Sequence, residues 1–60
     1  MSLPEDLRIE RLTQRMSQWR LSALTGVHQS RISLYELGLK ELRPEEVEAI
    51  QKALKVEVRP

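Results

Sequence analysis

Apolar residues along this chain recur at three- and four-residue intervals between polar and charged positions. That is the period of amphipathic helices, not the alternation of strands. Ile9, Leu12 and Met16 keep helical spacing, with Leu7 off to one side. Pro4 suits the first position of a helix, because its missing N–H would go unpaired there anyway. Glu5 and Asp6 then complement the positive end of the helix dipole. The pattern predicts a first helix over about residues 4–15. Ser17 is placed as an N-cap, and residues 18–25 read as a short second helix with Leu21 and Leu24 inward. Gly26 stops it, since glycine tolerates the left-handed conformation of a tight helix end, and Val27 tucks into the core. A third helix begins at His28 or Gln29 and runs to about Leu37, with Ile32, Tyr35 and Glu36 on one flank and Gly38 as its stop. Residues 39–43 form a connector. Pro44 opens a fourth helix, with Glu45 and Glu46 in its first turn, Lys52 and Lys55 at its end, and Val47, Ile50, Ala53 and Leu54 on one side. In the tail, Val56-Glu57-Val58 alternates, but three residues decide neither strand nor coil. The expected fold class is all-α, a compact domain of four to five helices over residues 1–60.

Composition narrows the function classes. No apolar run exceeds two residues, so no membrane span is expected. The first residues carry no apolar stretch after a basic region, so no secretory signal is expected. Cysteine is absent and there is one histidine. Disulfides and the usual protein-only metal sites are therefore excluded, and a reducing cytoplasm is the expected compartment. No cofactor is expected. No enzyme is expected, given one histidine, no cysteine, no Gly-rich phosphate loop and no convincing acid/base pair. A domain of this length buries only about 60% of the surface its unfolded chain exposes. With no disulfide to compensate, a second copy of the chain is the expected source of further burial.

The net charge of +1 says little, but its distribution says more. Residues 1–10 sum to −2, residues 11–40 to +4 and residues 41–60 to −1. A polyanion would be drawn to the basic middle. An unevenly charged solvated surface explains the same numbers.

Two short helices joined by a tight Gly-containing turn make a helix-turn-helix candidate over about residues 18–37. The stretch QWRLSALTGVHQSRISLYELG, Gln18 to Gly38, resembles the helix-turn-helix of the phage repressor/Cro-type family of bacterial regulators. The likeness rests on Leu21, Thr25-Gly26-Val27 at the turn, Gln29-Ser30-Arg31-Ile32-Ser33 opening the second helix, and Tyr35-Glu36 with Gly38 closing it. It extends through Val47, Ile50, Ala53, Leu54 and Val56, and covers roughly residues 7–56. The resemblance implies a repressor-like DNA-binding domain whose second motif helix enters the major groove of double-stranded DNA.

On that reading Gln29, Ser30, Arg31, Ser33 and Leu34 face bases. Gln29 can pair in two-point fashion with adenine, Arg31 can reach guanine or a phosphate, and Leu34 can meet a thymine methyl. Gln18, His28 and Lys40 are phosphate contacts, with Gln18 helped by the helix N-terminus. Gly26, Val27, Ile32, Glu36 and Gly38 are structural. Duller readings stand beside these. Gln29, Ser30 and His28 can be helix-start residues in solvent, Leu34 can pack against a neighbour, and Tyr35 is a core residue. Trp19 covers the side of helix 1 or, alternatively, stacks on a sugar-phosphate edge.

The chain departs from the family pattern in places. Ser22 replaces the usual Ala at the helix crossing. Arg15-Met16 replaces the usual Gly-Leu before Ser-Gln, so the first turn lacks its glycine. Leu42 and Pro44 displace the proline that often follows the connector. Glu36 matches an acidic residue that pairs with an Arg on helix 1. In ungapped register that partner is Arg11, and a small gap would select another. The chain ends about where the family builds a fifth helix, leaving the tail, residues 56–60, as a candidate replacement in a dimer surface.

The expectation is a prokaryotic or phage transcriptional regulator that reads DNA sequence as a symmetric homodimer. With no sensing domain, its control would come from concentration, a protein partner or a competing operator. Two rivals are open from sequence: an antitoxin whose tail or fourth-helix face binds a toxin, and a helical adaptor that has lost DNA binding.

Overall fold

The computed structural model describes residues 4–55. Four helices follow one another: α1 (Pro4–Thr13), α2 (Gln18–Thr25), α3 (Gln29–Glu36) and α4 (Pro44–Ala53). Each has ten residues or fewer, below the about 12–15 at which an isolated helix becomes stable in water. Packing therefore holds them. α2 lies against both α3 and α4, and α1 against α3. Leu7, Leu21, Val27, Ile32, Tyr35, Ile50 and Leu54 form the buried core, and Met16, Leu42, Val47 and Ala53 pack against it. The tail and Val56, the last residue of the family likeness, lie outside the described residues.

The helix ends follow from local chemistry. Ser17 Oγ accepts from the Arg20 N–H at 3.0 Å, satisfying one of the free donors of α2. Gly26 ends α2 at φ 76°, and its N–H donates to Ser22 O. The Thr25 hydroxyl donates to Leu21 O and accepts from the Val27 N–H, which turns the chain so that Val27 points inward. Pro44 stands at the first position of α4. The Gln14 amide donates to Leu54 O at 2.6 Å, tying the end of α1 to the end of α4.

Several expectations about orientation need correction. α1 ends at Thr13, two residues early, and Arg15 sits at φ 55°. The left-handed residue that the family builds with glycine is here an arginine. Ile9 and Leu12 are about half exposed, whereas Leu7 and Arg11 are buried. The inward stripe of α1 includes a charged residue, so a reading guided by apolar positions alone rotated the helix. Leu24 and Trp19 also face outward, at 52% and 68% exposure. The side of α2 turned to the body carries Gln18, Leu21, Ser22 and Thr25, three of them polar. Trp19 lies about 200° around the helix from Leu21 and stays largely exposed. α3 ends at Glu36, with Leu37 as its cap.

Candidate nucleic-acid interface

Successive residues of α3 advance by about 100° around its axis. Ile32 and Tyr35 are buried in the core and fix the rotation of the helix. Gln29, Ser30, Ser33 and Leu34 are thereby turned outward. Ser30 and Leu34 are exposed, and Gln29 and Ser33 are half-buried. His28 caps the helix: its Nδ1 accepts from the Ser30 N–H at 3.1 Å and lies 2.8 Å from the Ser30 hydroxyl. The ring itself stays exposed.

A chain of side-chain hydrogen bonds runs from the core to this outward face. Arg11 Nε and Nη2 donate to the two oxygens of Glu36 at 2.7 and 2.9 Å. The Arg11 Nη1 donates to Met16 O at 2.7 Å. Glu36 Oε1 also accepts from the Gln18 amide at 3.0 Å. Gln18 Oε1 in turn accepts from the Gln29 amide at 2.6 Å. Each amide nitrogen carries two N–H groups and uses one here. Gln18 keeps one donor, while Gln29 keeps one donor and its acceptor oxygen, which is what a two-point contact with adenine requires. Arg11 balances the charge of Glu36 at the end of α3, and the first turn of α3 carries no acidic residue.

Arg31 is placed differently from expectation. The sequence places it among residues able to reach a guanine edge or a phosphate and gives no sign of a partner within the chain. Instead its Nη1 and Nη2 donate to the two oxygens of Glu46 at 2.6 and 2.9 Å, which binds α3 to α4. The physical reason is angular: Arg31 lies between the outward residues and the core residues of α3, and the first turn of α4 offers a carboxylate there. Glu46 Oε1 also accepts from the Arg43 N–H at 3.0 Å. This bond to the Arg43 backbone and the bonds from Arg43 and Arg31 hold the Glu46 carboxyl below the ordinary carboxylate range, against an opposing effect of burial. Glu46 is thus a functional candidate that sequence reasoning missed. As one of two glutamates after Pro44 it reads from sequence as a complement to the helix dipole, and no local spacing connects it to Arg31.

The remaining expected residues fall as follows. Gly26 and Gly38 both hold positive φ, at 76° and 75°. Nothing lies within 4 Å of a side-chain carbon added at either, so backbone conformation alone selects glycine there. Lys40 and Leu39 are exposed on the connector, and Leu37 is exposed at the cap of α3. Arg20, not singled out from sequence, is exposed in the first turn of α2, two residues after Gln18. Among the described residues no helix is long and apolar enough to cross a membrane.

Comparison with curated proteins and with solved structures gives no significant match. A family model described as helix-turn-helix matches residues 7–60, which takes in α1 from Leu7 onward and the whole of α2, α3 and α4. The α2–turn–α3 geometry and that match agree: the chain belongs to the Cro/C1-type helix-turn-helix family, non-enzymatic DNA-binding domains of transcriptional regulators.

Proposed function

We propose that the protein reads DNA sequence in the cytoplasm as a symmetric homodimer, each copy placing α3 in a major groove of a palindromic site. The observation that carries this reading is the path Arg11–Glu36–Gln18–Gln29. It holds the side chain best suited to adenine at the exposed opening of α3 with a donor and an acceptor to spare. Ser30, Ser33 and Leu34 complete the base-facing set. Gln18, through its second N–H, His28 and Lys40 contact phosphates and set the register. Arg31 contributes its remaining donors from the edge of the face.

Two copies engage half-sites about 34 Å apart, one turn of DNA. Affinity falls steeply with salt, because phosphate contacts release counterions. The test is selection of bound duplexes from a random pool, together with the sedimentation behaviour of the complex. A palindromic consensus occupied by two copies supports the reading. Absence of any consensus overturns sequence readout, and a non-repeated consensus bound by one copy overturns the dimer.

A further inference from the structure

We propose that Glu46 is a specificity-determining residue of this interface, which holds Arg31 off the phosphates of random DNA and fixes its remaining donors at the edge of the base-reading face. The proposal deepens the reading of α3 as the groove helix and rests on it. Glu46 touches no base in this arrangement; it acts through Arg31.

An arginine guanidinium has five N–H donors. The two bonds to Glu46 use one hydrogen on each terminal nitrogen, which leaves three. The pair is half-open: the Arg31 side chain is 34% exposed and that of Glu46 10%. Glu46 is itself held by the Arg43 N–H, so its carboxylate is a fixed anchor on α4. Two parallel bonds to a fixed anchor set both the position and the plane of the guanidinium.

The consequence is a difference between two kinds of DNA. An unrestrained arginine beside the groove would swing to the nearest phosphate and strengthen binding to any sequence. Paired, its charge is cancelled and its long side chain is already ordered. It gains little from an arbitrary phosphate, yet three donors stand ready for a base edge or phosphate that arrives in the right place. Glu46 therefore weakens random binding more than site-specific binding, which raises the ratio between them.

The test compares the duplex selected above with a random duplex of equal length, using the full chain. Glu46→Gln keeps an oxygen for the Arg43 N–H and removes the charge that holds Arg31. Random binding should tighten and its salt dependence should steepen by about one phosphate contact. That is about a threefold larger loss of affinity between 50 and 200 mM salt. With the slope for the selected duplex unchanged, the ratio of selected to random affinity should fall about threefold further at 50 mM than at 200 mM salt.

Glu48→Gln is the control for charge alone, since Glu48 is exposed on α4 and pairs only with Lys52 among the residues described. Arg31→Lys covers the case in which Glu46→Gln fails to fold: it leaves Glu46 and its bond to Arg43 in place but cannot make the two-point pair. It should also lower the ratio of selected to random affinity. The proposal is overturned if Glu48→Gln lowers the ratio as much as Glu46→Gln. It is also overturned if Glu46→Gln has the same effect in an Arg31→Gln background, or if Arg31→Lys leaves the ratio unchanged. If the parent protein shows no preference for any duplex, the reading of α3 fails first and this assignment with it. If the parent discriminates and the variants do not change its ratio, only the role of Glu46 falls.

Discussion

Arg11 and Glu36 stand twenty-five residues apart in the chain and meet in a two-point pair, Nε to Oε2 at 2.7 Å and Nη2 to Oε1 at 2.9 Å. Both side chains are nearly shut off from solvent. The pair joins α1 to the end of α3, and the same carboxylate orients Gln18. One contact thus belongs to the stability of the fold and to the geometry of the reading helix at once.

The two roles separate under mutation. Removing one partner of a buried pair costs about 3–5 kcal/mol, because the other is left buried and uncompensated. A core of this size rarely supplies more than about 3–5 kcal/mol in all. Glu36→Ala should therefore be largely unfolded at 25 °C by circular dichroism. Arg11→Met with Glu36→Leu should recover most of the stability, since apolar replacement of both partners is often neutral or better. That double variant should still lose discrimination among duplexes, because Gln18 no longer has its acceptor. Wild-type discrimination in a folded double variant would remove Glu36 from the path to Gln29.

Sequence reasoning reached the helix-turn-helix because its signals are local. Ser17, Gly26, Val27, Gly38 and Pro44 each act within a few residues, through capping, positive φ or a missing N–H, and each holds the place expected of it. The register of α1 and the outward side of α2 were not legible in the same way. Both are set by inward-turned polar groups, the buried Arg11 in one case and the half-buried Gln18 and Thr25 in the other, and an apolar pattern cannot anticipate these. The pairing of Arg31 with Glu46 is a long-range event between two helices whose relative placement no local rule gives. The sequence leaves the partner of Glu36 open between Arg11, in ungapped register, and another arginine after a small gap; the structure pairs it with Arg11.

Gln29 and Lys40 should fail differently. Gln29→Ala should weaken binding at one or two base pairs of the selected site, by about 1–3 kcal/mol for a lost two-point base contact, and leave random binding nearly unchanged. Lys40→Ala should weaken all sequences alike and reduce the salt slope by about 0.9. Titrations of both variants against selected, single-mismatch and random duplexes decide it. Equal losses on every duplex for both variants would mean the two roles are wrongly assigned.

Arg15 occupies a left-handed conformation at φ 55°. Such a conformation costs a residue with a side chain about 1–2 kcal/mol. Glycine avoids that cost but loses about 0.5–1 kcal/mol through the greater freedom of its unfolded chain. Arg15→Gly should therefore stabilise the protein by about 0.5–1 kcal/mol. Urea denaturation measures the difference directly. A destabilised variant would mean that the Arg15 side chain makes a contribution larger than its backbone strain.

Glu46 and Tyr35 shape the dependence of stability on pH from opposite ends. The Arg43 N–H and side chain, with Arg31, depress the Glu46 carboxyl below its ordinary value in the folded protein. The folded state therefore binds this proton less readily than the unfolded state does. The resulting stabilisation is present above the ordinary carboxylate value of about 4.3, and it is lost as pH falls through the depressed folded value. Burial raises the Tyr35 hydroxyl instead, because it disfavours the phenolate. Its contribution is present below about pH 10 and is lost as pH rises through the raised folded value. Thermal melts of the parent, Glu46→Gln and Tyr35→Phe across pH should show both effects. The parent should exceed Glu46→Gln in Tm near neutrality, with the gap closing in acid. Relative to Tyr35→Phe it should lose stability only in alkali. A gap between the parent and Glu46→Gln that stays constant through the acid range would show that the carboxylate acts there by shape, not by charge.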